Sequence, residues 1–228
     1  MRCDEQPVSI AVNGVRRVVL SCSPHDADAL ALGHLVSEGW ARSAADVRAL
    51  ALPEPGDGTR TVLAEVDPAQ VELAEMVRRH QTLHGCGLRH VLDCDPAAIT
   101  RTASASAPPD AVPLLRSLFA AVDDAAPDGG VHGVALSDGG VLFAIAIDVA
   151  RHCAVDRAIG LGLRERGDIA GCGLVATARI SGAMALKAAR VRLDWIASRS
   201  IATSLAHEIA AAFGLSLLER AGRAPRHA

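Results

Sequence analysis

The sequence predicts an α/β protein in two parts, a smaller α+β N-terminal part and a C-terminal α/β/α sandwich. Three observations predict it. From about residue 131 onward, β-rich runs alternate with helical runs, the pattern of a sheet with helices on both faces. Near the N-terminus, two β-rich runs flank Asn13-Gly14, a dipeptide that accepts the positive φ of a two-residue hairpin turn. Between these regions, residues 102–113 are small, polar and Pro-rich and read as a linker. The expected division is 1–101, ending in a cysteine loop, then the linker 102–113, then 114–228.

The elements follow in order. Val8 to Val12 and Val15 to Leu20 are the strands of the hairpin. Ser23-Pro24-His25-Asp26 reads as a helix start, with Ser23 as N-cap, Pro24 at the first helical position and Asp26 complementing the dipole. That helix carries Leu30, Leu32, Leu35 and Val36 and ends near Glu38-Gly39. Thr61 to Val66 reads as a strand. Asp67-Pro68 opens a helix whose apolar side is Val71, Leu73, Met76 and Val77, and which runs into His80. A loop then carries His84, Gly85, Cys86, Gly87 and His90. Beyond the linker come a helix over about Val112 to Asp123 and two strands, Val131 to Leu136 and Val141 to Ile147, around Asp138-Gly139-Gly140. A helix from about Cys153, a strand Leu174 to Thr177, a helix from Ser181, a strand Asp194 to Ala197, a helix from Thr203 and a strand Leu215 to Leu218 complete the chain. This alternation implies a largely parallel sheet.

Composition narrows the function classes. Of 228 residues, 50% are hydrophobic and 21% charged, with no Tyr, three Phe and two Trp. Ala, Val and Leu must therefore fill the core, and the aromatic platforms on which single-stranded nucleic acid stacks are missing. The net charge of −3 gives no basic surface over the whole molecule, so no nucleic-acid partner is expected. The stretch with Arg220, Arg223, Arg226 and His227 is a local exception. The first residues have no apolar run behind them, so no signal peptide is expected, and charges interrupt every run that could approach a membrane span. The expected location is cytoplasmic, where six cysteines would be reduced thiols.

Gly85-Cys86-Gly87 is the first place for chemistry. Flanking glycines let a thiol stand on a tight loop and let a bulky partner come close. Arg78, Arg79, His80, His84 and Arg89 surround it in sequence, and nearby cations favour the thiolate that attacks sulfur. Such a thiol could take sulfur as a persulfide and pass it on; a buried, inert cysteine is the alternative reading. His80, His84, Cys86, His90 and Cys94 could also be read as a metal site, but the spacing matches no common zinc module. The zinc-deaminase signature is absent, with no His-x-Glu anywhere. No metal of the protein's own is expected.

Asp148, Arg151 and His152 come just after a strand and open a helix, where open α/β sheets place ligands; the alternative is a plain helix start capped by Asp148. Cys153 beside them is a second, weaker thiol candidate. Phosphate loops of the Gly-x-x-x-x-Gly-Lys and Gly-x-Gly-x-x-Gly kinds are missing, and Gly160-x-Gly162 falls inside a predicted helix. An oligophosphate ligand would have to use helix ends and side chains such as Arg179, Ser181, Arg199, Ser200, Arg220 and Arg223, all near predicted strand ends.

Taken in order, several of these motifs resemble the formate dehydrogenase accessory sulfurtransferases, the FdhD family. The block from Ser23-Pro24-His25-Asp26 through Ala31-Leu32-Gly33-His34-Leu35-Val36-Ser37-Glu38-Gly39 is similar to the family's N-terminal block. Gly85-Cys86-Gly87 is similar to its cysteine loop, and Asp148-Val149 with Arg151-His152 and Ala154-Val155-Asp156 to its central motif. Ser198-Arg199-Ser200, Thr203-Ser204-Leu205-Ala206 and Gly222-Arg223 match as well. The resemblance implies a cytidine-deaminase-like C-terminal sheet and a sulfurtransferase with Cys86 as persulfide carrier. It implies a cysteine desulfurase as donor and molybdenum bis(molybdopterin guanine dinucleotide) as the bound substrate, handed to formate dehydrogenase or a related molybdoenzyme. Leu218, Arg220, Gly222 and Arg223 fall where the family contacts that cofactor, with Asp148, Arg151, His152, Arg179, Ser181 and Arg199 as further candidates. A homodimer is also implied. The chain departs from the family at Arg89, where many members carry a second cysteine, and at Ala150, where the central motif usually has Gly. A non-catalytic chaperone that binds the same cofactor is the alternative, and Cys86 discriminates, since a chaperone needs no thiol there.

Overall fold

A computed structural model describes residues 3–53, 60–80 and 109–222, with the backbone alone at 76–80. Two sheets organise them. The first holds β1 (Gln6–Val12), β2 (Val15–Cys22), β3 (Val47–Ala51) and β4 (Arg60–Val66) in the order β2-β1-β4-β3. The hairpin turn is the expected one, because Asn13 (φ 50°) and Gly14 (φ 78°) both sit in the left-handed region. Asn13 also explains why the hairpin stays in register with β4. Its Nδ2 donates to the Val66 carbonyl at 2.9 Å and its Oδ1 accepts from the Val66 amide at 3.0 Å, so one side chain replaces a missing peptide unit.

The second sheet holds β5 (His132–Ser137), β6 (Leu142–Asp148), β7 (Gly173–Ala176), β8 (Trp195–Ser198) and β9 (Ser216–Leu218) in the order β6-β5-β7-β8-β9. Only β7–β8 and β8–β9 are parallel; β5 runs antiparallel to both β6 and β7. The expectation of a largely parallel sheet is thus corrected to a mixed one. The hairpin of β5 and β6 enters at the sheet's middle and edge, and a hairpin cannot be parallel to itself.

α3 (Ala111–Ala125) covers one face of this sheet through Leu114, Leu115, Leu118 and Val122, against Ala135, Val175, Trp195 and Ala197. Its N-cap is Asp110, whose carboxylate accepts from the Val112 amide at 3.0 Å. Ala111 to Pro113, read from sequence as the end of the linker, are its first turn. α4 (Arg151–Arg166), α5 (Gly182–Arg190) and α6 (Ser204–Phe213) cover the other face. Pro68–His80 forms α2 beside the first sheet, as the Asp67-Pro68 start predicts.

α1 (Ala27–Ser37) joins the two halves. It lies between the first sheet and α4, and ten of its eleven residues are buried. The crossing with α4 is backbone to backbone. A Cβ on Gly33 would collide with the Asp156 carbonyl, and one on Gly160 with the Ala29 carbonyl, so only glycine fits at either position. The core is continuous from Val8, Ile10 and Val12 through Leu30 and Leu35 to Ala154, Ile159 and Leu174.

Two local expectations change. The helix start at Ser23-Pro24 is three residues too early: α1 begins at Ala27, and its N-cap is Asp26 with φ 44° and no side-chain cap. Ser23 is engaged elsewhere, its hydroxyl accepting from the Val149 amide at 3.3 Å. The strand β3 was not expected at all; it pairs antiparallel on the outer side of β4.

Candidate functional site

The parallel strands β7, β8 and β9 end on the same side of the second sheet, and the start of β5 and the end of β6 reach that side too. The loops there, 177–181, 199–203 and 219–222, are stitched into one rim. The Ile180 amide donates to the Ile201 carbonyl at 3.1 Å and the Thr203 amide to the Ile180 carbonyl at 3.0 Å. The Arg220 amide donates to the Ser200 carbonyl at 2.8 Å and the Ala221 amide to the Ser198 carbonyl at 3.1 Å. Beneath them the buried Ser198 hydroxyl donates to the Ala178 carbonyl at 2.8 Å and accepts from the Ser200 amide at 3.0 Å. Arg220 is held with φ 54°, and Gly222 with φ 74°.

Three helices start at this rim. α5 is capped by Ser181, which accepts from the Met184 amide at 3.4 Å, and α6 by Thr203, which accepts from the Ala206 amide at 3.2 Å. None of α4, α5 and α6 has an acidic residue in its first turn. Opposing charge comes from outside those turns: Asp148 accepts from the Ala150 amide at 2.9 Å before α4, and Glu219 from the Ala202 amide at 2.6 Å before α6. Arg179, Arg199 and Arg220 are exposed around them, and Arg199 lies over the Phe119 ring at 5.3 Å. Arg forks and helix N-termini together suit phosphate oxygens. His152, half-buried in the first turn of α4, places Nε2 3.5 Å from the Ser181 hydroxyl. Burial lowers its pKa first, then Arg151 and Lys187, against the pull of Asp156 and Glu38. Its imidazole is thus neutral near pH 7 and can donate or accept there.

Asp148 differs from its neighbours. It is fully buried and turned inward. Its Oδ2 takes the Arg157 guanidinium at 2.5 Å, and its Oδ1 accepts from the Ser23 amide at 3.1 Å and the Ala150 amide at 2.9 Å. Those bonds leave it the task of fixing the start of α4, and with it His152, rather than facing a ligand. The helix itself is capped at Ala150.

A second buried network braces the rim from behind. Asp156 accepts from His34 Nδ1 at 3.0 Å, the Ser37 hydroxyl at 2.6 Å and Lys187 Nζ at 2.7 Å. Lys187 also reaches Glu38 at 2.7 Å. Burial opposes both carboxylates' charge, but Lys187 and His34 outweigh it, holding Asp156 far below its usual range and Glu38 down to about 2. Lys187 is raised in return, the two carboxylates overcoming its burial.

The structure thus brings Arg151, His152, Arg179, Ser181, Arg199, Leu218, Arg220 and Gly222 to one rim; Cys86, its loop and Arg223 lie outside the described residues. Sequence reasoning missed His132 and Thr177. His132 pairs with Asp148 across β5 and β6 and is lowered in pKa by burial and by Arg151. The Thr177 hydroxyl accepts from the Gly133 amide at 3.0 Å. Regular pairing of the strands at 131–136 and 141–147 sets His132 opposite Ile147; the register shift between Val134 and Leu136 moves it to Asp148. No group of three or more His, Cys, Asp or Glu side chains among the described residues could hold a metal. No described helix is long and apolar enough to cross a membrane.

Residues 3–225 match the model of the FdhD/NarQ family. A protein of Burkholderia mallei named Sulfur carrier protein FdhD is 33% identical over 227 residues, covering 94% of this chain and 82% of the relative. A protein of the same name from Xanthomonas euvesicatoria is 33% identical over 223 residues, covering 94% and 78%. A crystal structure described as a formate dehydrogenase accessory protein, from Desulfotalea psychrophila, superposes with a TM-score of 0.70 at 23% identity, covering 95% of this chain and 83% of that one. The same mixed α/β fold is therefore present in both.

Proposed function

The chain belongs to the FdhD/NarQ family, and on that premise we propose that it is a sulfur carrier serving formate dehydrogenase, with Cys86 as its persulfide residue. In this reading the Cys86 thiolate attacks the outer sulfur of a desulfurase persulfide. A Cys86–sulfur bond forms, the desulfurase sulfur–sulfur bond breaks, and the donor thiolate leaves. The sulfur then goes to the molybdenum bis(molybdopterin guanine dinucleotide) cofactor held on the rim.

The observation that carries the cofactor half is the convergence of three helix N-termini with Arg179, Arg199 and Arg220 on one edge of the sheet. That edge has the charge and donor geometry for the diphosphates of the dinucleotide arms. The names of the relatives support the sulfur half.

The test uses the purified chain with a cysteine desulfurase and cysteine. The Cys86 peptide should gain one sulfur, removable by a reductant. Cys86→Ala should lose that mass and the activation of formate dehydrogenase, while keeping its melting temperature and its affinity for the cofactor. Normal activation by Cys86→Ala would overturn sulfur transfer in favour of a chaperone that only binds the cofactor.

A further inference from the structure

The chain carries further thiols beyond the Gly85-Cys86-Gly87 loop. Cys22 closes β2 and Cys153 stands in the first turn of α4, and both are buried in the same core, at 0% and 4% exposure. Several bonds draw the two segments together. Asp148 Oδ1 accepts from the amide of Ser23, the residue after Cys22, and from that of Ala150, three before Cys153. The Ser23 hydroxyl accepts from the Val149 amide, and Arg157 donates to the Ser23 carbonyl at 2.8 Å. The Cys153 thiol points at the Ser21 carbonyl 4.0 Å away. The Cys22 thiol points at the Leu20 carbonyl 3.9 Å away, and Cys22 lies within electrostatic reach of Cys153 and of Arg157. In this structure both are free thiols.

We propose that Cys22 and Cys153 are a redox-active dithiol, and that a hydroperoxide converts it to a disulfide tying β2 to the start of α4. The partners have unequal tasks. The neighbouring Cys153 side chain lowers the pKa of Cys22 despite its burial, and Arg157 adds to this. The Cys22 side chain, with burial, raises Cys153. Cys22 is therefore the attacking sulfur and Cys153 the resolving one. In the first step the Cys22 thiolate breaks the peroxide O–O bond, forming a sulfenic acid and releasing hydroxide. In the second, the Cys153 sulfur attacks that sulfenic sulfur, the S–S bond forms, and the departing oxygen leaves as water with the Cys153 proton. Two thiols are oxidised by two electrons and one peroxide is reduced to water. Ser23, the residue after Cys22, lines a surface cavity of about 480 Å³; the two cysteines are buried behind it, so the oxidant must enter by a local opening there. Because His152 directly precedes Cys153, the crosslink also fixes the imidazole's end of the rim.

The test treats the folded, full-length protein with hydrogen peroxide, blocks remaining thiols in denaturant and maps peptides without reduction. The expected product is a Cys22–Cys153 linked peptide pair, two hydrogens lighter than the thiols and released by dithiothreitol. Cys153→Ser should instead leave Cys22 as a sulfenic acid that dimedone traps. A crosslink between these cysteines closes a loop of roughly 130 residues, so the oxidised protein should also melt at a higher temperature. Recovery of both cysteines as blocked thiols while the exposed Cys3 is oxidised would overturn the proposal. So would sulfinic acids without a crosslink, or a crosslink that forms only after unfolding.

Discussion

Replacing Gly160 by Ala should be among the costliest single-methyl changes available in this protein. The added Cβ would fall on the Ala29 carbonyl of α1, and would lie 2.6 Å from the Ala29 carbonyl carbon and 3.0 Å from the Gly33 amide nitrogen. All three are backbone atoms in a helix, so no rotamer change relieves the clash. The helices must part by roughly 1.5 Å to restore ordinary van der Waals contact. That movement also stretches the bonds bridging α1 and α4 beside the crossing, where His34 and Ser37 meet Asp156 at 3.0 and 2.6 Å. Overpacking alone costs about 1–3 kcal/mol, and weakening a buried charged network adds a comparable loss. We expect about 4 kcal/mol, which in a protein of this size lowers Tm by about 8–16 °C. Gly162→Ala is the control, because its Cβ meets the Leu136 methyl, then Ile169 at 3.2 Å, all side chains that can shift. It should cost about 1 kcal/mol. Urea titration of both variants at constant m decides the matter. Gly33→Ala combined with Gly160→Ala should cost less than the two singles together, since one separation relieves both clashes. A Gly160→Ala loss no larger than that of Gly162→Ala would refute the account of the crossing.

Other outcomes follow from the same geometry. Asp148→Ala strips the buried Arg157 of its carboxylate and should cost about 3–5 kcal/mol by denaturant titration. Acid should destabilise the fold between about pH 4.5 and pH 2. Glu38 and Asp156 have depressed folded pKa values, so their contribution is complete above the unfolded pKa and fades as pH falls through the folded one. Lys187→Met, which removes the cation that holds them down, should flatten that acid limb in a pH series of melting curves. Arg199→Ala and Arg220→Ala, both on exposed side chains, should weaken binding of guanosine diphosphate to the rim about tenfold each in calorimetry, with Tm unchanged.

Legibility from sequence followed how local each determinant is. Asn13-Gly14 announced the hairpin because its backbone demand is met by those two residues alone. Ser181 and Thr203 were legible as helix starts because an N-cap bond spans three residues. Ser23-Pro24 carried the same signal and misled, because the Ser23 hydroxyl is used by Val149, far along the chain. β3 lacked a β-branched run and exists because β4 offers it an edge. The rim was half legible. Its residues stood near predicted strand ends, but the bonds that join 177–181 to 199–203 and 219–222 depend on strand order. The network of His34, Ser37, Glu38, Asp156 and Lys187 gave no sequence signal, since three helices must pack before those side chains meet.

The burial of α1 on nearly every side has a consequence for how the chain folds. Leu30, Ala31, Leu35 and Val36 are made early, yet the helix that covers them, α4, begins more than a hundred residues later. Until then the first sheet can shield only one side of α1. Contacts of such long sequence separation form late and slowly, through collapsed intermediates. The N-terminal half therefore emerges from the ribosome with an apolar helix face open to water, a surface that general chaperones recognise, and refolding of the isolated chain should show a slow phase that ends when α4 docks.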